Sequence, residues 1–373
     1  MRTIAIVAAL VALASPSFAQ RHKVDFDPES KAGYLIQQIQ QESDDGARLR
    51  LLEQFASEFP SHASIAWIYE LLQPYYLAAK QFDKLLAVCP KALAADPSDV
   101  VTAQNCLEAA SAQQDPQIIV RYAGTAWRAA SKAAQSAAQP EDAAYAKRLM
   151  ASAEYALFSL ANKADDPQKR LEYLRILSDC NPHSEYLAKN GDLETFRSYQ
   201  QMGRVEKAIE LAPQILAHDP RNIDVLVAVA EYHFKKENAP ETVLSACQKL
   251  IEILSNPSRP ADFDGGNWEQ KRSQYLGGAY YMSGFVASTH GKFALADKRL
   301  RAALPFIRSK PEILAPALYH LGYANYRLAQ SQSERIRIHD AIKFTEECAT
   351  FEGPYQEQAA KNVGIMKSEF NLP

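Results

Sequence analysis

Apolar side chains return at every third or fourth position over most of the chain, and the pattern stops at short intervals. Residues 203–220 show this best, because a helical stripe begins after Gly203 and ends at Asp219-Pro220. Residues with this spacing share one face of an α-helix. Glycine permits a tight turn before the stripe, and proline cannot continue a helix after it. The pattern therefore predicts short amphipathic helices separated by sharp turns.

The turn and the stripe that follows it recur along the chain. Residues 80–97 and 291–303 have the same arrangement as residues 203–220. Prolines close the stripes at near-regular intervals, with one double interval, at Pro60, Pro97, Pro182, Pro220 and Pro257. Three other stripes begin with a proline, where its missing N–H costs no hydrogen bond, at Pro116, Pro167 and Pro240. This regularity indicates a repeated unit of two helices.

Each turn is preceded by another stripe, in which a large residue is followed by a small one four positions later. Tyr280 and Gly284 hold these places before the turn at Gly291, and Leu318 and Gly322 hold them in the next unit. With these residues the chain resembles the tetratricopeptide repeat, whose period is about 34 residues. The resemblance implies an all-α fold, an α-solenoid wound as a right-handed superhelix from about eight helix hairpins. An unrelated helix bundle is the alternative.

The repeat register also predicts the organisation of the chain. A signal peptide occupies 1–19, an N-terminal extension 20–28, the solenoid 29–354, and a capping helix with its tail 355–373. The hairpins of the solenoid have the approximate limits 29–62, 63–98, 99–140, 141–182, 183–221, 222–258, 268–311 and 312–354. The pattern is clearest in the second, fifth and seventh hairpins, and it is degraded in the first helices of the third and fourth.

Composition supports helix and limits the classes of function. Glycine is scarce, at 14 residues, and 47% of the residues are hydrophobic. A chain rich in strong helix formers and in apolar residues favours a packed helical fold over a β-sandwich or a disordered chain. The formal net charge of −3 excludes a strongly basic protein that binds nucleic acid.

The N-terminus has the layout of a secretory signal peptide. Arg2 is followed by an apolar run at 4–14 and by the triplet Ser17-Phe18-Ala19, so we expect cleavage after Ala19. A membrane anchor and a buried N-terminal helix are the alternatives, but the run is shorter than the ~20 apolar residues that span a bilayer. No second long apolar run follows. We therefore expect a periplasmic or secreted protein without a transmembrane segment in its mature chain.

The cysteines could form disulfides in an oxidising compartment. There are five of them, Cys89, Cys106, Cys180, Cys247 and Cys348. An odd number leaves at least one thiol unpaired within the chain, and none has the Cys-x-x-Cys spacing of a zinc or redox motif. We expect most of them to act as small apolar residues. Cys89 and Cys106 lie on neighbouring helices of the register and are the pair to test.

The resemblance also implies a binding surface, because the first helices of tetratricopeptide hairpins line a concave groove. The register places the following residues toward this groove: Arg197, Gln200, Gln201, Glu231, Phe234, Lys235, Tyr281, Phe285, Tyr319, Tyr323, Tyr326 and Arg327. Tyrosine and arginine are frequent in the most strongly contributing parts of protein interfaces. The alternative is that the aromatic side chains pack between adjacent helices, and helical periodicity alone does not separate the two.

Known enzyme motifs are missing from the sequence. It has no phosphate-binding loop, no Gly-x-Ser-x-Gly elbow and no pair of histidines three or four residues apart. We expect no catalytic, cofactor or metal site. The segment 256–268, with Asp262, Asp264 and Trp268, lacks the spaced acids of a calcium loop and is interpreted as a connector.

These observations favour a non-catalytic scaffold that holds a protein or peptide partner in its groove. Export directs this expectation toward cell-envelope assembly or secretion. A carrier of polysaccharide or of another small ligand is the alternative, and an enzyme with a site between repeats is a weaker one. The partner's identity and the oligomeric state are left open by the sequence.

Overall fold

The computed structural model of the protein describes residues 22–256, Ser258, 267–330 and 332–373. The signal peptide with Ala19, and Asp262 and Asp264 of the 256–268 segment, lie outside the described residues. Within them the chain is helical throughout and contains no strand. The prediction of an all-α fold built from consecutive helix hairpins is confirmed.

The chain divides into two compact units, which we call the N-terminal half (residues 1–191) and the C-terminal half (residues 192–373). The helices described in the N-terminal half are α1 (Lys31–Gln41), α2 (Asp45–Glu58), α3 (Ile65–Ala78), α4 (Phe82–Ala95), α5 (Val100–Gln113), α6 (Pro116–Ser136), α7 (Pro140–Lys163) and α8 (Pro167–Cys180), and a π-helical turn follows at Leu187–Gly191.

The C-terminal half continues the same alternation of first and second helices. Its described helices are α9 (Asp192–Gln201), α10 (Val205–His218), α11 (Ile223–Lys235), α12 (Pro240–Leu254), α13 (Trp268–Thr289), α14 (Phe293–Ile307), α15 (Pro311–Ala329), a 3-10 turn (Gln332–Arg337), α16 (Ile338–Ala349) and α17 (Gln356–Glu369). Each hairpin range from the sequence matches two of the helices to within one residue, and α17 follows the last pair.

Helices pack in succession within each half. Every helix contacts the next one, and first helices also contact one another, α3 with α5 and α5 with α7 in the N-terminal half, α11 with α13 and α13 with α15 in the C-terminal half. A single hairpin cannot bury its apolar face, so stacking supplies a shared interior. Leu52, Phe55 and Leu85 are fully buried in the N-terminal half, as are Phe196 and Leu250 in the C-terminal half.

In the described part of the chain, five of the turns between the two helices of a hairpin contain a residue with left-handed backbone. Gly203 (φ 69°) and Gly291 (φ 74°) adopt it without a steric penalty. Lys80, Gln114 and Glu237 adopt it in other hairpins, with φ of 53°, 59° and 51°, although they carry a Cβ. The turn geometry is thus kept even where the sequence has no glycine.

Two glycines allow the two helices of a hairpin to approach closely. A Cβ at Gly284 of α13 would lie 2.7 Å from Leu300 Cγ of α14. A Cβ at Gly322 of α15 would lie 2.2 Å from Thr345 Oγ1 of α16. Both distances are far below van der Waals contact. The small residue predicted in the first helix is therefore required by the packing of the second.

Cys89 of α4 and Cys106 of α5 form a disulfide, with their Cα atoms 5.9 Å apart. The bond joins two consecutive hairpins of the N-terminal half. Cys247 and Cys348 are buried thiols, and Cys180 is partly buried. Burial raises the pKa of the Cys247 thiol to about 12 and that of Cys348 to about 11. These two thiols are accordingly protonated at neutral pH and serve as apolar packing residues.

The polar insertion between α15 and α16, which includes the 3-10 turn Gln332–Arg337, brings an arginine next to a buried carboxylate of α14. Arg337 lies 3.0 Å from Oδ2 of Asp297, which is nearly buried on α14. Asp297 also accepts from Arg301 Nε at 2.7 Å and from Asn325 Nδ2 at 2.6 Å. The insertion thus adds a charged side chain to a network that links α14 with α15.

Candidate partner-binding surface

Six aromatic side chains form a connected group across four first-helix positions of the C-terminal half. We call them the aromatic cluster: Phe234 of α11, Tyr281 and Phe285 of α13, Tyr319 and His320 of α15, and Tyr355, which precedes α17. Ring centroids are 5.3 Å apart for Phe234 and Phe285, and 4.1 Å for Phe285 and His320. Tyr319 and Tyr355 are 4.9 Å apart. The rings therefore continue from one first helix to the next.

Burial and electrostatic effects link members of the cluster that lie on different first helices. Burial raises the pKa of Tyr281 to about 12, and the nearby Tyr355 contributes to the rise. Tyr281 belongs to α13 and Tyr355 directly precedes α17, and α15 lies between these helices in the chain. Burial raises the pKa of Tyr355, and Glu237, just after the end of α11, adds a smaller contribution. First helices that are not consecutive in the chain thus come close enough to interact electrostatically.

His320 lies in the centre of the cluster as a neutral imidazole. Burial lowers its pKa to about 4. Its Nδ1 is 3.1 Å from Ser288 Oγ, and its ring is also near Tyr319 and Tyr355. An imidazole with so low a pKa is not a proton donor at neutral pH. Its observed contacts are those of a packing residue.

Polar and charged residues of α9 and α11, two first helices of the same half, are exposed to solvent. Arg197, Gln200 and Gln201 are exposed on α9, and Glu231 and Lys235 are exposed on α11. The guanidinium of Arg197 lies 2.8 Å from Glu194 and 3.9 Å from Asp224. A partly buried aromatic floor accompanied by exposed polar residues has the composition of a protein interface.

The sequence predicts Tyr319, Tyr323 and Tyr326 on one face of α15, but in the structure the three side chains contact different neighbours. Tyr319 joins the aromatic cluster. Tyr323 packs against Phe293 of α14, and its hydroxyl accepts a hydrogen bond from Arg327. The hydroxyl of Tyr326 bonds to Glu369 of α17. All three side chains are partly buried, so α15 contributes one tyrosine to the cluster and two to contacts with its neighbours.

Sequence reasoning missed two members of the cluster, His320 and Tyr355. His320 directly follows Tyr319 in α15, and the register did not include it among the residues directed to the groove. Tyr355 was expected only as the beginning of the capping helix. The signal for Tyr355 was present, because α17 occupies the place of a further first helix after α16.

Among the described residues, no group of three or more His, Cys, Asp or Glu side chains is arranged to hold a metal ion. No helix in the described part of the chain combines the length and the apolarity needed to cross a bilayer.

Of the comparisons with known proteins, the one with solved structures found proteins that are similar to this chain. No family model and no curated protein matches the chain. The crystal structure of the TPR domain of P58(IPK) has 13% identity and a TM-score of 0.28, covering 91% of this chain and 99% of that chain. Yeast Tom70 has 12% identity and a TM-score of 0.27, covering 92% of this chain and 97% of that one. Human IFIT1, as a dimer with PPP-AAAA, has 15% identity and a TM-score of 0.28, covering 95% of this chain and 88% of that one. Similarity at this level supports no inference about function, and the fold described above rests on the order and packing of the helices.

Proposed function

We propose that the protein is a non-catalytic interaction scaffold that binds a segment of another protein on the first-helix surface of its C-terminal half. The observation that carries this proposal is the aromatic cluster, which is continuous over four first-helix positions and partly open to solvent. Rigid aromatic side chains give a large contact area at a low entropic cost. An extended segment lying across successive helices would meet one ring after another.

A photo-crosslinking experiment tests this proposal. A photoreactive amino acid at Lys235, beside Phe234, is expected to yield a defined adduct with a partner protein in the producing cells. The same amino acid at Lys249, exposed on the second helix α12, serves as the matched control and is expected to yield none. Equal adducts at both positions, or none at Lys235, would contradict the proposed surface.

Truncation of a cluster residue provides a second measurement. Phe285 contacts Phe234, Tyr281 and His320, so Phe285→Ala removes the centre of the cluster. Loss of a central aromatic contact typically weakens binding at least about tenfold. The adduct at Lys235 is expected to disappear while circular dichroism still shows a folded helical protein. Persistence of the adduct in this variant would remove the cluster from the binding surface.

We also propose that the protein is exported and cut after Ala19, and that it acts in the cell envelope or outside the cell. The Cys89–Cys106 disulfide supports export, because such bonds persist mainly in oxidising compartments. Mass spectrometry of the protein from its native cells is expected to find an N-terminus at Gln20 and an oxidised Cys89–Cys106 pair. An intact Met1 with both thiols reduced would contradict export.

A further inference from the structure

We infer that the Cys89–Cys106 disulfide is made while the N-terminal half is still unfolded, by exchange with a disulfide of another molecule, and that folding then encloses it. The unfolded chain, and not the folded protein, is the substrate of this oxidation. The inference goes beyond the proposed function, because it concerns the order of oxidation and folding. It rests on the burial of the two cysteines and on the positions of the other three.

Both cysteines of the pair are shielded from solvent in the folded protein. Cys89 is 1% exposed and Cys106 is 0% exposed. They belong to the apolar cluster of the N-terminal half, together with the fully buried Leu85, Ala103 and Ala110. Protein interiors are packed at about the density of organic crystals. An external thiol or disulfide therefore finds no room beside either sulfur.

The chemistry of bond formation requires such room. The thiolate of one cysteine attacks an external disulfide, which forms a mixed disulfide and releases one external thiol. The thiolate of the second cysteine then attacks the mixed disulfide at the sulfur of the first, which closes the Cys89–Cys106 bond and releases the second external thiol. The two cysteine protons and two electrons end on the external disulfide, which is reduced to two thiols. The mixed disulfide carries an external group on a cysteine, and the packed interior cannot hold that group.

An unfolded chain already favours the observed pairing. Cys89 and Cys106 are 17 residues apart, and every other pair of cysteines is at least three times as far apart in the sequence. The entropic cost of closing a flexible loop increases with its length, so a fourfold longer loop closes about eightfold less often. The correct bond is therefore the one that forms most readily before any helix packs.

Folding also withdraws the other three cysteines from exchange. Cys247 and Cys348 are buried, and burial raises the pKa of their thiols to about 12 and about 11. Cys180 is partly buried, and burial raises the pKa of its thiol as well. Exchange requires the thiolate, which these groups form to a small extent at neutral pH. The enclosed bond is thus protected from rearrangement with the remaining thiols.

Oxidation of the reduced mature protein with oxidised glutathione tests the inference. One sample is refolded with its thiols reduced, and circular dichroism verifies its helices, while a second sample stays unfolded in urea. Acid quenching, alkylation of the remaining thiols and mass spectrometry of peptides follow the Cys89–Cys106 bond with time. We expect the bond to form at least about tenfold faster in the unfolded sample, because buried groups react only through opening of the structure.

The variant Ser152→Cys provides the matched control for the oxidant. Ser152 is exposed on α7 of the same half. A thiol at this position is expected to react with glutathione at rates that agree within about twofold in the folded and unfolded samples. A large difference in bond formation at Cys89 and Cys106 then reflects their burial and not an effect of urea on the reagent.

Reduction of the native protein gives a second measurement, which does not depend on refolding of the reduced chain. The oxidised protein is treated with tris(2-carboxyethyl)phosphine over a series of urea concentrations. The Cys89–Cys106 bond is expected to persist in buffer and to be reduced at a rate that rises in step with unfolding of the N-terminal half.

Three outcomes would overturn the inference and leave the aromatic cluster untouched. They are equal rates of bond formation in the folded and unfolded samples, reduction of the native bond at a rate independent of urea, and a predominance of other cysteine pairs in the unfolded sample. Slow oxidation of the folded sample together with rapid formation of the Cys89–Cys106 bond in the unfolded one would support it.

Discussion

His320 illustrates, at the scale of single residues, how a side chain of the binding surface also affects stability. Its pKa is lowered from 6.5 to about 4 because the imidazole is buried among Phe285, Tyr319 and Tyr355. In the unfolded chain the imidazole takes up a proton below about pH 6.5. The folded protein does not take up that proton until about pH 4. His320 therefore favours folding at neutral pH, and this contribution is lost as the pH falls from 6.5 to 4.

We expect the variant His320→Gln to show a weaker dependence of stability on pH in this window. Between pH 7.5 and 5 the native protein should lose about 2 kcal/mol of unfolding free energy through this one residue. Urea unfolding of both proteins at the two pH values measures the difference, because the other titrating groups are common to them. The same loss in both proteins would show that His320 is not buried in the neutral form.

At the scale of helices, Gly284 and Gly278 of α13 provide a matched pair. A Cβ at Gly284 would meet Leu300 of α14, whereas nothing lies within 4 Å of a Cβ at Gly278. We expect Gly284→Ala to lower the unfolding free energy by about 1–3 kcal/mol, since overpacking exceeds the gain in helix propensity. Gly278→Ala is expected to raise it by about 0.5–1 kcal/mol.

Thermal and urea unfolding of both variants measure this contrast. Because the two glycines lie on one helix, a general effect of alanine on α13 would move both variants in the same direction. Such a result would show that α13 and α14 do not require a close approach at Gly284.

The helices could be predicted because turn residues, helix caps and apolar stripes all indicated the same helix boundaries. Helices α6, α8 and α12 begin at Pro116, Pro167 and Pro240, as the sequence predicts. Helices α10 and α14 begin two residues after Gly203 and Gly291, where the sequence places a turn followed by an apolar stripe. Asp115 and Asp166 accept hydrogen bonds from the first turns of α6 and α8.

Other features of the helices depend on tertiary packing and could not be predicted from local signals. Prolines lie inside α3, α4, α10, α14 and α15, at Pro74, Pro90, Pro213, Pro305 and Pro316. An interior proline costs a helix about 3 kcal/mol, so a local rule predicts a break at each of them. Burial of the apolar faces on both sides outweighs this cost. Trp67 and Tyr76 of α3, for example, are buried on either side of Pro74.

The sequence predicted which helices carry the candidate surface, but it did not predict all of the residues that form it. The repeat register placed Phe234, Tyr281, Phe285 and Tyr319 on the first helices, where the structure has them. The contacts of Tyr323 with Phe293 and of Tyr326 with Glu369 depend on the positions of α14 and α17. A periodic stripe carries no information about which neighbour each of its residues meets.

At the scale of the whole molecule, the chain has two compact halves, and the Cys89–Cys106 disulfide belongs to the first of them. The cysteines are 17 residues apart, so the bond restricts a short loop of the unfolded chain. A loop of this length corresponds to about 3 kcal/mol of stabilisation in the chain-entropy model. The apolar cluster that contains both cysteines is formed by residues of the N-terminal half, including Leu85, Ala110 and Leu177.

We expect the double variant Cys89→Ala, Cys106→Ala to lower the protection of the N-terminal half selectively. Hydrogen exchange followed by mass spectrometry should show faster exchange in peptides from α3 to α6. Peptides from residues 192–373, whose apolar clusters are built from their own helices, serve as the internal control and should exchange as in the native protein. In a solenoid stabilised by nearest-neighbour contacts, a loss in one hairpin affects the adjoining hairpins most strongly. Equal acceleration in both halves would instead mean that the whole chain unfolds as one cooperative unit.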